Sequence, residues 1–245
     1  MDLLLKTITQ SPSLLDAWGY AFIIQLTIYF GICGGVVVSV LALKRLKIGS
    51  VLDERPLKQH QIRSEILSSL GSSLIYAVYM LACFRLASGI HPSSFFEGLV
   101  QLIAFLAIYD IANYTTHRLL HTGRFRRFHH QHHRSVRVTP WSTSSLHPVE
   151  AILSQIPLLL FVWFVPVSSL MIIVFYAVLM LFMAMGHSNY SPVSHTFNAP
   201  KLKGYIRFHQ RHHQLGHVNY GFLGIHWDLV FGTHFQEEKD SSKTG

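Results

Sequence analysis

Long uncharged apolar runs, each closed by charged residues, divide this chain into membrane-length segments. Ala17 to Leu43 holds 27 residues without a formal charge. About 20 apolar residues cross a ~30 Å hydrocarbon core, so this run predicts a first span. A second is expected from Ile66 to Ala87, with Arg85 placed to snorkel to the headgroups at its far end. Gly89-Ile90-His91-Pro92 reads as a short outer turn. The third starts near Phe95 and is predicted to continue as one helix through Asp110 and Asn113 to Leu120, about 26 residues or ~39 Å. His117 and His121 would then stand just beyond the inner membrane surface.

Ala151 to Gly186 holds 36 residues without a charge, interrupted by Pro157 and Pro166. One crossing would place His187 and the later histidines on the opposite side from His117 to His133. A hairpin of two helices of about 17 residues, breaking at Val165-Pro166-Val167-Ser168, returns the chain to the same side, at the lower limit of spanning length. The cations support that parity: the connector Lys44 to Glu65 and the segments holding Arg118 to Arg137 and Lys201 to Arg211 all read as cytoplasmic by the positive-inside rule. The expected fold is all-α, a multi-pass membrane bundle of four to five membrane segments under a cytoplasmic histidine-rich cap. Residues 1–94 read as membrane helices and connector, 95–235 as the catalytic region, and the polar tail 236–245 as disordered.

Composition fits this picture. The chain is 50% hydrophobic and only 13% charged, against roughly 25% charged in soluble domains. A net charge of +8 reports topology here, so no nucleic-acid partner is expected. Cys33 and Cys83 both lie in apolar runs and make no disulfide framework. Met1 to Ser13 lacks the pattern of a removable signal peptide.

The candidate chemistry is histidine. Of 17 histidines, 15 lie between positions 117 and 234. His117 and His121 form H-x3-H; His129, His132 and His133 form H-x2-H-H, and His209, His212 and His213 repeat it. On a helix, residues three and four apart share a face. With His187 these make nine candidates, and neutral imidazole is the commonest metal ligand. One ion takes three or four protein ligands, so nine donors imply two metals. Imidazole suits iron, zinc, copper or nickel. A pair of closed zinc staples, a metal transporter and a haem protein with axial histidines are the competing readings. Transport would favour ligands inside the spans.

These boxes resemble those of the fatty acid hydroxylase and sterol desaturase superfamily of membrane histidine-box oxygenases. Further matches are His147-Pro148-Val149-Glu150, His187-Ser188-Asn189, Phe197-Asn198-Ala199-Pro200, Asn219-Tyr220-Gly221, Trp227-Asp228 and Phe231-Gly232-Thr233, over about residues 95–235. The resemblance implies two iron ions, with zinc as an alternative in purified protein, held by His117, His121, His129, His132, His133, His187, His209, His212 and His213. It implies O2-dependent attack on an unactivated C–H bond of a lipid, giving an alcohol or an alkene. His147, Glu150, Asn219 and Asp228 are candidates to support the ligands or to organise local turns, and Asp110 and Asn113 carry the same two readings. His130 breaks the box spacing and is read as a neighbour; His195, His217, His226 and His234 are read as surface or interface histidines.

No segment reads as a cytochrome b5 or ferredoxin domain, so electrons are expected from an external donor of that type with its reductase, docking on basic loops that include Arg124, Arg126 and Arg127. A bacterial inner membrane is the expected location, or the endoplasmic reticulum membrane in a eukaryote. The alternative function is a histidine-rich metal-binding or transport protein without redox catalysis.

Overall fold

A computed structural model describes residues 2–192 and 200–235. The polar tail, His195 and most of the Phe197-to-Pro200 motif lie outside the described residues. The apolar runs form helices α1 (Asp2–Gln10), α2 (Leu14–Arg45), α3 (Gln61–Leu86), α4 (Phe95–Leu120), α6 (Pro148–Phe164) and α7 (Ser169–Gly186). The histidine boxes form α5 (Arg126–His133) and α8 (Pro200–Leu215), and α9 (His226–Val230) closes the described chain. The result is an all-α membrane bundle. α2, α3, α4 and α7 are long and apolar enough to cross a membrane, and α6 is a shorter apolar helix.

Local signals explain the boundaries. Ser94 caps α4 by accepting from the Glu97 amide, and His147 with Pro148 opens α6, where a missing N–H costs nothing. The α6–α7 break falls at residues 165–168, as the apolar run with its internal Pro166 predicts. α8 ends where Gly216 takes φ +73 and its amide donates to the His212 carbonyl.

One helix departs from expectation. The expected spans begin only at Ala17, yet α1 folds ahead of them and buries Leu5 and Ile8 completely. Its C-terminal end is held by Arg85, which donates to the Thr9 and Ser11 carbonyls. Arg85, expected from the sequence to snorkel, thus holds the end of α1. At the same end His91 pairs with Asp2, away from the other histidines.

At the opposite end the connectors knit the cap together. A two-residue antiparallel pairing joins Ser50–Val51 to Tyr190–Ser191. It needs Gly49 at φ +87, because a Cβ there would lie 2.1 Å from the Ser191 carbonyl oxygen. Between α5 and α6 a 3-10 segment, Pro140–Ser144, packs onto α2, α3 and α7. Its Trp141 carbonyl accepts from Tyr29 on α2 and Ser69 on α3.

Candidate metal centre

Four elements bring the nine histidines together in two groups. The first is His117, His121, His129, His133 and His212; the second is His132, His187, His209 and His213. Within each group the candidate ligand atoms all lie within 4.8 Å of one another. The two H-x2-H-H helices interleave. On α5 the i, i+4 pair His129 and His133 serves the first group while His132 serves the second. On α8 the roles reverse: His209 and His213 serve the second group, and His212 the first. α4 adds His117 and His121 to the first group, and the end of α7 adds His187 to the second. The groups touch where the rings of His133 and His213 stack at 4.7 Å.

The nitrogen spacing tests whether metal fits. Nε2 of His117 lies 3.1 Å from Nε2 of His129, which lies 3.1 Å from that of His133; His212 to His133 is also 3.1 Å. In the second group the spacings are 3.3 Å for His187 to His132, 3.1 Å for His209 to His187 and 3.2 Å for His213 to His209. An ion about 2.0–2.1 Å from each imidazole nitrogen separates neighbouring ligand atoms by about 2.9–3.4 Å. The donor set has that spacing.

The tautomers bear on the same fit. His117 Nδ1 faces the Tyr220 carbonyl at 2.9 Å, His187 Nδ1 the Met183 carbonyl at 2.8 Å, and His212 Nδ1 the Val218 carbonyl at 2.7 Å. A carbonyl only accepts, so each Nδ1 carries the proton and each Nε2 a lone pair. These lone pairs point at other imidazole nitrogens, an arrangement that a shared cation relieves. His129 Nδ1 lies 2.6 Å from Glu150 Oε1, with both side chains buried, the carboxylate–histidine pairing that orients a metal ligand.

Burial first, then neighbouring imidazoles, push His121 down to about 2 and His133 to about 3. Burial lowers His187 to about 4, and His129, His132, His209, His212 and His213 are shifted well below the ordinary histidine value for the same two causes. They are neutral at pH 7, the form that binds metal.

A cavity opens from His117, His129, His132 and His209 into the bundle among α2, α3, α4, α6 and α7, with walls that include Leu146, Leu179, Met180 and Phe222. On another side a polar opening bounded by Arg126, His130 and Gln214 reaches His121, His133 and His213.

The remaining candidates sort by their partners. Glu150 contacts His129. His147 instead caps α6, its Nδ1 accepting from the Val149 amide. Asn219, at φ +58, bonds the Phe208 carbonyl and the Phe235 amide, and Asp228 accepts from the Tyr220 and Gly221 amides and from Thr233. These partners are backbone groups and a hydroxyl, and both residues build the turn that presents the Tyr220 carbonyl to His117. Asp110 is also a turn organiser, accepting from the Leu223 amide, His226 and Trp227. His226 is thereby engaged away from the centre. His130 and His217 are exposed.

Sequence reasoning passes over the braces. Buried Glu65 on α3 accepts from Ser135, Thr139 and Gln61, fixing the chain just beyond His133. Buried Asp53, held near 2 by Arg55, receives Gln210 and Gln214 of α8, and Gln210 also donates to the Val136 carbonyl. The available signal was Gln131 and Gln210 at non-histidine places within the boxes: Gln131 likewise donates to Ser68 and to the Leu146 carbonyl.

Bundle, spans and paired histidine groups together define a membrane protein of the histidine-box class. The fatty acid hydroxylase family model matches residues 102–233 of the 245, and the chain belongs to that family. It is 24% identical over 187 residues to the Delta(7)-sterol 5(6)-desaturase of Leptosphaeria maculans, covering 72% of this chain and 51% of that protein. Human lathosterol oxidase is 25% identical over 190 residues, 71% of this chain and 62% of its own length. A Delta(7)-sterol 5(6)-desaturase of Aspergillus fumigatus is 24% identical over 211 residues, covering 80% and 61%. The chain thus spans between half and two thirds of the length of these relatives. No solved structure matches it.

Proposed function

We propose that this chain is a di-iron, O2-dependent oxidoreductase that hydroxylates or desaturates a C–H bond of a membrane lipid, with the nine histidines as metal ligands. The observation that carries this is the sorting of those nine histidines into groups of five and four beside a cavity that enters the bundle. Family membership and the sterol-oxidising names of the relatives support a lipid substrate.

Bound iron would supply oxygen activation and attack on an unactivated C–H bond, which side chains cannot perform. The chain's own residues hold and orient. Backbone carbonyls of Tyr220, Met183 and Val218 keep three imidazoles in the Nε2 lone-pair tautomer, and Glu150 does so for His129. The buried, largely apolar cavity admits lipid and limits water near the centre. Hydroxylation balances as R–H + O2 + 2 electrons + 2 H+ giving R–OH + H2O; desaturation consumes the same reductant and yields an alkene and two waters. The electrons come from a separate donor of the cytochrome b5 or ferredoxin type, served by its reductase. Arg124, Arg126 and Arg127 are exposed, Arg126 bounds the polar opening, and the three suit an acidic donor. The centre would lie on the cytoplasmic side, as the distribution of cations suggests.

The test is metal content together with lipid turnover. Purified protein reconstituted with iron should hold two ions and, given O2 and reductant, alter a lipid detectable by mass spectrometry, while His132→Ala does neither. Zinc-only protein that never alters a lipid after iron loading would defeat the proposal.

A further inference from the structure

The cavity below the histidines contains a polar group that the chain leaves unmatched. Gln25 lies within the apolar span of α2, is fully buried and lines that cavity. Among the described residues, neither its amide nitrogen nor its carbonyl oxygen has a hydrogen-bond partner. Buried amides are almost always paired, because an apolar medium offers no substitute for water. A leucine would pack the same position without that cost. Ser144 lines the same cavity, and its hydroxyl reaches the Met180 sulfur at 4.0 Å. α2 carries none of the nine histidines, and Gln25 shares the lining of this chamber with His117, His129, His132 and His209. On α4 the chamber wall runs from His117 back to Tyr109, eight residues or about 12 Å of helix.

We propose that Gln25 is a specificity residue that binds the hydroxyl of a lipid substrate while the carbon to be oxidised lies against the histidines. Resting on the lipid-oxidation reading of the same cavity, this narrows the substrate to a lipid with a hydroxyl remote from the reacting carbon, rather than an unsubstituted alkyl chain. Gln25 Nε2 donates to such a hydroxyl, or Oε1 accepts from it. The hydroxyl could belong to a sterol ring or to a long-chain alcohol, which share this chemistry. A buried water is the competing partner, and it would confer no preference between ligands.

Two matched probe pairs decide the matter on the purified full chain in detergent micelles: a 3β-hydroxysterol with its 3-deoxy analogue, and a long-chain primary alcohol with the corresponding alkane. Affinity is read from ligand-induced thermal stabilisation. In one pair the hydroxylated member should bind at least about tenfold more tightly, and that pair identifies the source of the hydroxyl. Gln25→Leu should bring the ratio to within about twofold. Gln25→Met serves the same purpose if the leucine variant does not insert. Equal binding within both wild-type pairs, or a ratio that survives both substitutions, overturns the role of Gln25 and leaves the lipid reading standing. Failure of all four probes to bind overturns both.

Discussion

Removing the acceptor behind His129 should selectively weaken one of the two metal sites. Glu150→Leu takes away the oxygen 2.6 Å from His129 Nδ1, in a contact whose side chains are 3% and 8% exposed. A buried N–H left alone costs about 1–3 kcal/mol. The imidazole can relieve that cost by moving its proton to Nε2, which removes the lone pair aimed at His117 and His133. Loss of such an outer partner typically lowers metal affinity about 10–100-fold, equivalent to about 1.4–2.7 kcal/mol, so the two magnitudes agree. Titrating iron-loaded protein with a chelator and measuring metal per chain should show one ion leaving Glu150→Leu at correspondingly lower chelator concentration while the other stays. Glu150→Gln keeps an acceptor oxygen, so its shift should be under about tenfold. Wild-type retention of both ions in Glu150→Leu, or equal loss from both groups, refutes the reasoning.

The interleaving of α8 predicts that His209→Ala and His212→Ala, three residues apart, deplete different sites; spectroscopy of the remaining iron should give two distinct signatures, and identical ones would contradict the grouping. Arg55 holds the Asp53 carboxyl at about 2, below its ordinary 3.8. A lowered folded-state value means that Asp53 stabilises the fold fully above about pH 4. That contribution is lost as pH falls towards 2, and Asp53→Asn should flatten the decline of melting temperature over this window. Reversing Arg124, Arg126 and Arg127 to Glu should slow turnover several-fold with a protein donor while leaving metal content and turnover with a small chemical reductant unchanged. A uniform fall with both reductants would argue against docking there.

Much of the architecture is legible because membrane segments obey a simple rule: backbone groups in hydrocarbon must bond within their own helix, so uncharged runs of sufficient length become helices. The uncharged run of α2 follows from that rule, whereas α4 continues past Asp110 to Leu120 and the break at residues 165–168 falls at Pro166. Parity then requires His187 and the α8 box to face the α5 box, and spacing puts the box histidines on shared faces. α1 is not legible, since nine residues carry too weak a pattern to announce that Leu5 and Ile8 would be buried by α2 and α3. Nor is the division of labour among the histidines. His132 and His133 are adjacent in sequence yet join different groups, because successive helical positions point about 100° apart and only the neighbouring helices determine what each meets.

The supporting contacts show the same limit. Glu150 and Asp228 stand beside equally suggestive motifs, but one takes an imidazole N–H and the other two backbone amides. The orienting acceptors for His117, His187 and His212 are backbone carbonyls, present at every residue and marked by no side chain. Composition and spacing thus determined that this is a membrane bundle with a polyhistidine cap. Tertiary packing alone decided which nitrogens converge, which carbonyls fix their tautomers, and that Gln25 faces the cavity they line, because those depend on contacts between segments up to a hundred residues and more apart.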